Sequence, residues 1–448
     1  MKDRGQHSET SRQLLHVSMG AFALLLRWLH WGAAVALAVA AVLFNAFVLP
    51  RIAARLYRPG DRDRGLHGIL YYPIAVLALL LLFPADLALV AAAWGVLAAG
   101  DGMATLVGRA VGGGRWRWNR EKTVAGTLAL WVAGSAAGAA LFWWCRSAAP
   151  EPRSVMFIIT ASMAAAALAA AVETMDVRLD DNLSVGLTAG AALWLLTLVS
   201  PAAIGANVPL LTSRLLIGVI VNVGVAWAGR ATHTVSTSGA ATGAIIGIVI
   251  FAALGWAGWG LLLVTFLAAA ITSKLGLKRK TLLGIAEDRG GRRGPGNAIA
   301  NTGVAAIAAA LVVSTVYPER AAWAFAAALA AGGSDTIASE IGKAWGRTTW
   351  LLTSFKRVPP GTSGAMSMEG TAAGIVGALA LGAVAMAFGI VPYAALAPIV
   401  IAATVGALVE SALGATLEAP GILNNDMLNF INTTVAALLA VAFCVRLT

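Results

Sequence analysis

A chain of 448 residues in which 59% are hydrophobic and 12% charged, with a mean hydropathy of +0.80, is too apolar for a water-soluble globule. Its net charge of +11 does not point to nucleic acid, because the basic residues gather in short loops between apolar runs. Two cysteines, Cys145 and Cys444, lie far apart in apolar runs, which excludes a disulfide framework and a thiolate metal site and leaves both as packing residues.

The apolar runs are roughly 18–22 residues long, close to the 20 a helix needs to cross a hydrocarbon core. Their unbroken apolarity excludes the alternation of a membrane β-barrel. Residues 1–12 are polar, and no cleavage-site pattern follows them, so the first helices are expected to be retained. Run 14–26 is short and suits either a span or an interfacial helix, and 28–49 is long enough to cross. Next come 66–83 and 85–100, then 124–145, 155–172, 183–200, 208–228, 237–254 and 256–272, then 297–315 and 319–333, and last 366–388, 391–412 and 427–446. The expectation is an all-α polytopic membrane protein with about 14–15 transmembrane helices.

Four loops, 51–65, 109–122, 274–293 and 343–357, hold 21 of the 32 Lys and Arg residues. Short loops rich in Lys and Arg stay cytoplasmic, and the runs between neighbouring basic loops are even in number, so all four fit on one side. The C-terminus is then outside, and an inner plasma membrane location with multiple passes follows.

A polar pattern occurs twice. Asp101-Gly-Met-Ala104-Thr105-Leu-Val-Gly108-Arg109 matches Asp335-Thr-Ile-Ala338-Ser339-Glu-Ile-Gly342-Lys343 as D-x-x-A-[ST]-x-x-G-[KR]. Each copy is read as the cytoplasmic end of an apolar run, followed by a basic loop and a small-residue helix start, Lys122-Thr123 to Thr127 in one and Ser367 to Thr371 in the other. Two spans later each half returns acidic and amide residues, Glu173 with Asp180, Asp181 and Asn182, and Glu410 with Asn424, Asn425, Asp426 and Asn429. Two parallel, repeat-related halves are expected, with domains 1–203 and 204–448.

Phosphoryl transfer needs such a set: oxygen ligands for Mg²⁺, and cations for the phosphate oxygens. Asp101 with Asp181 is expected to hold one metal while Arg109, Arg120 and Lys122 hold the polyphosphate. Asp335 with Asp426, and Lys343 with Lys356, are expected to do the same in the second half. Glycines at 108, 126, 342, 361 and 370 admit phosphate to backbone N–H groups at helix starts. Taken singly, a carboxylate at a helix end is more often a cap, and a charge at a membrane-helix end is more often solvated; the ordered set seen twice favours chemistry. No Walker-type or Rossmann glycine motif occurs. His7, His16, His30, His67 and His233 lack metal-ligand spacing, and His16 and His67 read as interfacial or hydrogen-bonded rather than as bases.

At these residues the sequence becomes familiar. Ser11 to His16, Gly100-Asp101-Gly102-Met103-Ala104, Asn119-Arg120-Glu121-Lys122-Thr123 and Asp181-Asn182-Leu183 resemble the CTP-dependent polyprenol kinases, which include dolichol and phytol kinases. Thr237-Ser238-Gly239-Ala240, Ala300-Asn301-Thr302-Gly303, Ser334 to Gly342 and Val358 to Ser367 resemble a second integral-membrane family, the one containing plant phytyl-phosphate kinase. The resemblance implies a fusion of two consecutive salvage kinases. The first half would phosphorylate a long-chain isoprenoid alcohol of the phytol or geranylgeraniol type, and the second would convert the monophosphate to the diphosphate, with CTP or another nucleoside triphosphate and Mg²⁺. It further implies Asp101, Glu173 and Asp181 as metal ligands, with Thr105, Arg109, Arg120, Lys122, Thr123 and Asn182 around the nucleotide. In the second half Asp335, Glu340, Glu410 and Asp426 would hold metal. Ser339, Lys343, Lys356, Arg357 and the Gly361-Thr362-Ser363-Gly364 loop would hold phosphate. The catalytic set is Asp101, Asp181, Asp335 and Asp426.

Two other functions use similar residues. An isoprenoid-phosphate transporter or flippase also carries intramembrane polar groups, but needs a site near the midplane. A CTP:lipid-phosphate cytidylyltransferase would release pyrophosphate and retain CMP on the lipid.

Overall fold

Backbone amides inside a bilayer find partners only within a helix or a closed barrel, so an apolar run of this length folds as a helix, and a helix that is apolar all round belongs at the centre of the packing. The computed structural model describes residues 9–52, 68–175, 179–285, 294–418 and 420–447. Most of the basic loop 51–65, residues 286–293 of the third basic loop, and His7 and His67 lie outside the described residues. The chain divides into two compact units, Met1–Thr197 and Leu198–Thr448.

Unit 1 holds α1 (Glu9–Met19), α2 (Trp31–Leu43), α3 (Leu49–Ile52), α4 (Gly68–Leu82), α5 (Leu87–Gly95), α6 (Gly102–Val111), α7 (Val124–Trp144), α8 (Val155–Glu173) and α9 (Asp181–Thr197). The 14–26 run does not form one helix: α1 gives way to a 3-10 segment, Gly20–Arg27. A π-helical turn, Val96–Asp101, joins α5 and α6 into one 25-residue helix, Leu87–Val111. Leu89, Val90, Ala91, Val96 and Leu97 on this helix are wholly buried, with α7 and α9 packed around it. Asp101 therefore sits inside a helix rather than at its end, and the widened turn is what places it there.

Unit 2 holds α10 (Pro201–Ala231), α11 (Thr237–Lys274), α12 (Leu277–Leu282), α13 (Pro295–Ser314), α14 (Pro318–Trp345), α15 (Met368–Ala387), α16 (Leu396–Leu413) and α17 (Asn425–Leu447). A short hairpin pairs β1 (Thr349–Leu351) with β2 (Ala365–Ser367). The two runs expected at 237–254 and 256–272 are the two arms of α11, which breaks at Gly255 in a conformation (φ 61°) that glycine tolerates. Arg214 Nη1 donates to the Ala253 carbonyl at 2.9 Å, giving an acceptor beside the break a partner that lipid cannot supply. The central helix is α14, buried from Ala321 through Ser334, and Asp335 lies within it rather than beyond its end.

Ten helices among the described residues are long and apolar enough to cross a membrane, fewer than the 14–15 expected. Of the remaining runs, α4 is 15 residues long and α9 is 17, while α14 carries Asp335, Glu340 and Lys343. Both cysteines are buried and unbridged.

Within each unit by itself, the helix carrying the repeated motif crosses the next capped helix at a pair of glycines. A Cβ at Gly126 would lie 2.8 Å from the Ala104 carbonyl oxygen, and one at Gly370 would lie 2.6 Å from that of Ala338. Gly126→Ala and Gly370→Ala are each expected to cost about 1–3 kcal/mol, read as a lower melting temperature in detergent. Gly205→Ala, where a Cβ meets nothing within 4 Å, is expected to stay within about 0.5 kcal/mol of the parent. Equal melting of all three would contradict the close crossing.

Candidate functional site

In unit 1 the crossing determines where the polar residues fall. Thr123 caps α7, its Oγ1 accepting from Gly126 N at 3.1 Å, and Arg115 pairs antiparallel with Thr123, which closes the basic loop into a tight turn. Lys122, just before the cap, is thereby held against the end of α8 and the start of α9. Its Nζ donates to Glu173 Oε1 at 2.7 Å and to Asp181 Oδ2 at 2.8 Å. Burial of Lys122 works against its charge, but the Asp181 and Glu173 carboxylates outweigh this and hold the ammonium well above the usual lysine range. The half-exposed Asp181, its side chain at 46%, contributes little to stability, whereas Glu173, at 6%, depends on the lysine.

Asp101 is buried, with the charges of Asp181, Lys122, Glu173 and Asp180 in its surroundings. His16 completes the set: its Nε2 lies 3.5 Å from Asp101 Oδ2 and 3.4 Å from the Leu97 carbonyl, with its ring edge-on to Tyr72. The expectation was an interfacial or hydrogen-bonded His16; the contact with the Leu97 carbonyl is of the second kind, and the approach to Asp101 is a partner the sequence did not name. Gln13 and His16 lie three residues apart on one face of α1, and both turn inward. Asn182 donates from its backbone N and its Nδ2 to Asp180 Oδ1, at 3.0 and 2.7 Å. Thr105 is half-buried one turn beyond Asp101, whereas Arg109 and Arg120 are exposed.

In unit 2 the same local geometry recurs. Ser367 caps α15, accepting from Gly370 N at 3.1 Å, and Thr349 pairs with Ser367 across the hairpin. Here the crossing opens onto a cavity of about 340 Å³, lined among others by Asp335, Ser339, Glu340, Lys343, Glu410 and Asn429. The whole Gly361-Thr362-Ser363-Gly364 loop lines it too. That loop is pinned to the end of α16: Ser363 Oγ donates to the Gly414 carbonyl at 3.1 Å and also bonds Glu418. Gly364 (φ 69°) lies so close that a Cβ would stand 2.3 Å from Ala415 N.

Several expected pairings are not made. Asp335 hydrogen-bonds Glu410, whose Oε2 accepts from Asn432 Nδ2 at 2.9 Å. Asp426 instead lies against Gly296 and does not line the cavity. Glu340 is neutralised by Lys280 and by Lys343, 3.2 Å away. Lys280, read from sequence as part of a solvated loop, is 1% exposed. Lys356 and Arg357 are exposed in the turn after β1 and do not line the cavity.

Among the described residues no three Asp, Glu, His or Cys side chains converge as a metal site. Magnesium, however, is commonly held by one or two carboxylates and completed by substrate phosphates. The Asp335–Glu410 pair, both on the cavity wall, fits that role, because two neighbouring carboxylates repel each other and a divalent cation between them would relieve that repulsion.

Residues 220–437 match the family described as integral membrane protein DUF92. Protein VTE6, chloroplastic, of Arabidopsis thaliana is 37% identical over 191 residues, 41% of this chain and 57% of that protein. An uncharacterized membrane protein of Synechocystis is 37% identical over 184 residues, 40% of this chain and 71% of that protein. Farnesol kinase, chloroplastic, of A. thaliana is 31% identical over 142 residues, 31% of this chain and 46% of that protein. The chain thus spans about half the length of the two Arabidopsis proteins it matches. No solved structure matches.

The lysine bridge in unit 1 is testable by a double-mutant cycle. Lys122→Met and Glu173→Gln are expected to show a coupling of about 1–3 kcal/mol in thermal denaturation. Additive losses would show that Lys122 does not neutralise Glu173.

Proposed function

The chain belongs to the integral membrane protein family DUF92, and from that premise we propose that it is a membrane phosphotransferase for isoprenoid alcohols, with two successive phosphorylations divided between its two units. Unit 1 phosphorylates a prenyl alcohol, and unit 2 phosphorylates the resulting monophosphate. The observation that carries this reading is the recurrence, in each unit, of an aspartate-bearing helix crossing a Ser- or Thr-capped helix at paired glycines, with carboxylates and a lysine gathered at the crossing. The likeness to farnesol kinase supports it, as does a probable phytol kinase of Glycine max, 28% identical over 192 residues.

In unit 1 the alcohol oxygen attacks the terminal phosphorus of CTP or another nucleoside triphosphate, the P–O bond to the nucleoside diphosphate breaks, and the alcohol proton passes to Asp101. His16 holds that carboxylate in place. Lys122, whose charge is fixed by Glu173 and Asp181, faces the phosphate oxygens, with Thr105 and Arg109 on α6 and Arg120 and Thr123 beside it before α7. In unit 2 the nucleophile is a phosphate oxygen that carries no proton to remove, which suits a site with no histidine equivalent to His16. There Lys343 and the Gly361 to Gly364 loop hold phosphate, and Ser339 faces the same cavity. Asp335 and Glu410 would hold Mg²⁺ in unit 2, and Asp101 with Asp181 in unit 1; the ion supplies positive charge for the polyphosphate oxygens. The basic loops favour an orientation in an inner plasma membrane with both sites on the cytoplasmic side.

The test uses purified full chain with phytol, farnesol or geranylgeraniol, and CTP labelled at the γ or the α phosphate. Lipid labelled from γ and not from α is expected. Label from α would make the protein a cytidylyltransferase, and no label a carrier. Asp101→Asn and His16→Asn are each expected to slow the alcohol step by about 10²-fold or more while sparing the monophosphate step, with Asp335→Asn doing the converse. Loss of both steps in every variant would replace two sites by one.

A further inference from the structure

A second cavity in unit 2, about 170 Å³, lies between α10, α11, α13 and α14 and shares Asn297 and Thr336 with the polar cavity. Its chemistry is the opposite of its neighbour's: the wall is built mainly from aliphatic and aromatic side chains and glycines, and among the described residues no Asp, Glu, Lys or Arg lines it. Asn222 and Trp259, which also line it, satisfy each other through a 3.1 Å hydrogen bond. At the other end, Asn301 donates to the Asn297 carbonyl at 3.0 Å, while its own Oδ1 is buried with no partner among the described residues. Asn301 is 9% exposed, so this acceptor is left for a donor that no described residue supplies. Gly243 stands on the exposed side, where a Cβ would meet nothing within 4 Å.

A polar cavity and an uncharged one that share the wall residues Asn297 and Thr336 together make a site for an amphiphile with a compact anionic head and a long apolar tail. We propose that the apolar cavity seats the isoprenoid chain of the phosphorylated substrate, with its phosphate beside Asn297 and Thr336 and its tail running past Gly243. The identity of the tail as isoprenoid rests on the function proposed above; the seating of a lipid phosphate does not. Asn301 then meets the hydroxyl of a singly protonated phosphate at the junction, and the open side at Gly243 admits the tail from the bilayer without the head leaving the interface. A side chain added at Gly243 would occupy the space of the tail, so this residue sets the chain length accepted.

The test uses full chain in nanodiscs and a prenyl monophosphate with a photoreactive group at the tail terminus. Cross-links are expected on α11 around Gly243 and on α13, competed by geranylgeranyl monophosphate and not by dioleoyl phosphatidate. Gly243→Phe is expected to weaken labelling by the C20 probe about tenfold or more while sparing a C10 probe, as loss of several buried methylenes requires. Gly243→Leu gives a smaller graded version should the larger side chain impair folding. Cross-links confined to other helices, equal competition by phosphatidate, or equal loss for both probes would each overturn the assignment. Competed cross-linking at α11 without any transfer of γ-phosphate would leave it standing and overturn the catalytic reading alone.

Discussion

In each unit, a helix bearing an aspartate meets a capped helix at two glycines, Gly108 near Gly126 and Gly342 near Gly370. With no Cβ between them the backbones come close enough for a carbonyl of the first helix, Ala104 or Ala338, to lie where a side chain of the second would otherwise stand. The cap, Thr123 or Ser367, is fixed by its bond to the second glycine and by its pairing with the strand-like segment after the first. The position of everything between helix and cap follows, including the basic loop of unit 1 and the hairpin of unit 2.

An aspartate inside an apolar helix persists only where its neighbours take up its charge or its proton. The two units solve this differently. Asp101 has Lys122 among its charged neighbours and His16 at 3.5 Å. Asp335 bonds to a second carboxyl, Glu410, itself held by Asn432. The difference matches the chemistry proposed for each, since an alcohol must lose a proton on attack and a phosphate monoester need not.

Much of this was legible in the sequence. The repeated D-x-x-A-[ST]-x-x-G-[KR] motif named both aspartates and both crossing glycines, and the small residues after each basic loop named the caps. The break in α11 showed as two runs flanking residue 255. What stayed hidden depends on tertiary approach. His16 reaches Asp101 from 85 residues away, a contact no local pattern encodes. Lys280 looked like one more loop cation, yet it is buried against Glu340. Asp426 looked equivalent to Asp181, but Glu410 shares the cavity with Asp335 while Asp426 lies against Gly296. Charge counting also could not tell that Asp101 and Asp335 lie inside continuous helices, since a polar residue ends an apolar run whether or not the helix ends with it.

The central claim is that each unit carries its own phosphate-holding site. Equilibrium binding of a non-hydrolysable β,γ-methylene analogue of CTP, with Mg²⁺, to the intact chain tests it directly. The account predicts two equivalents per chain, one removed by Lys122→Met and the other by Lys343→Met. A single equivalent, abolished by either substitution, would contradict it.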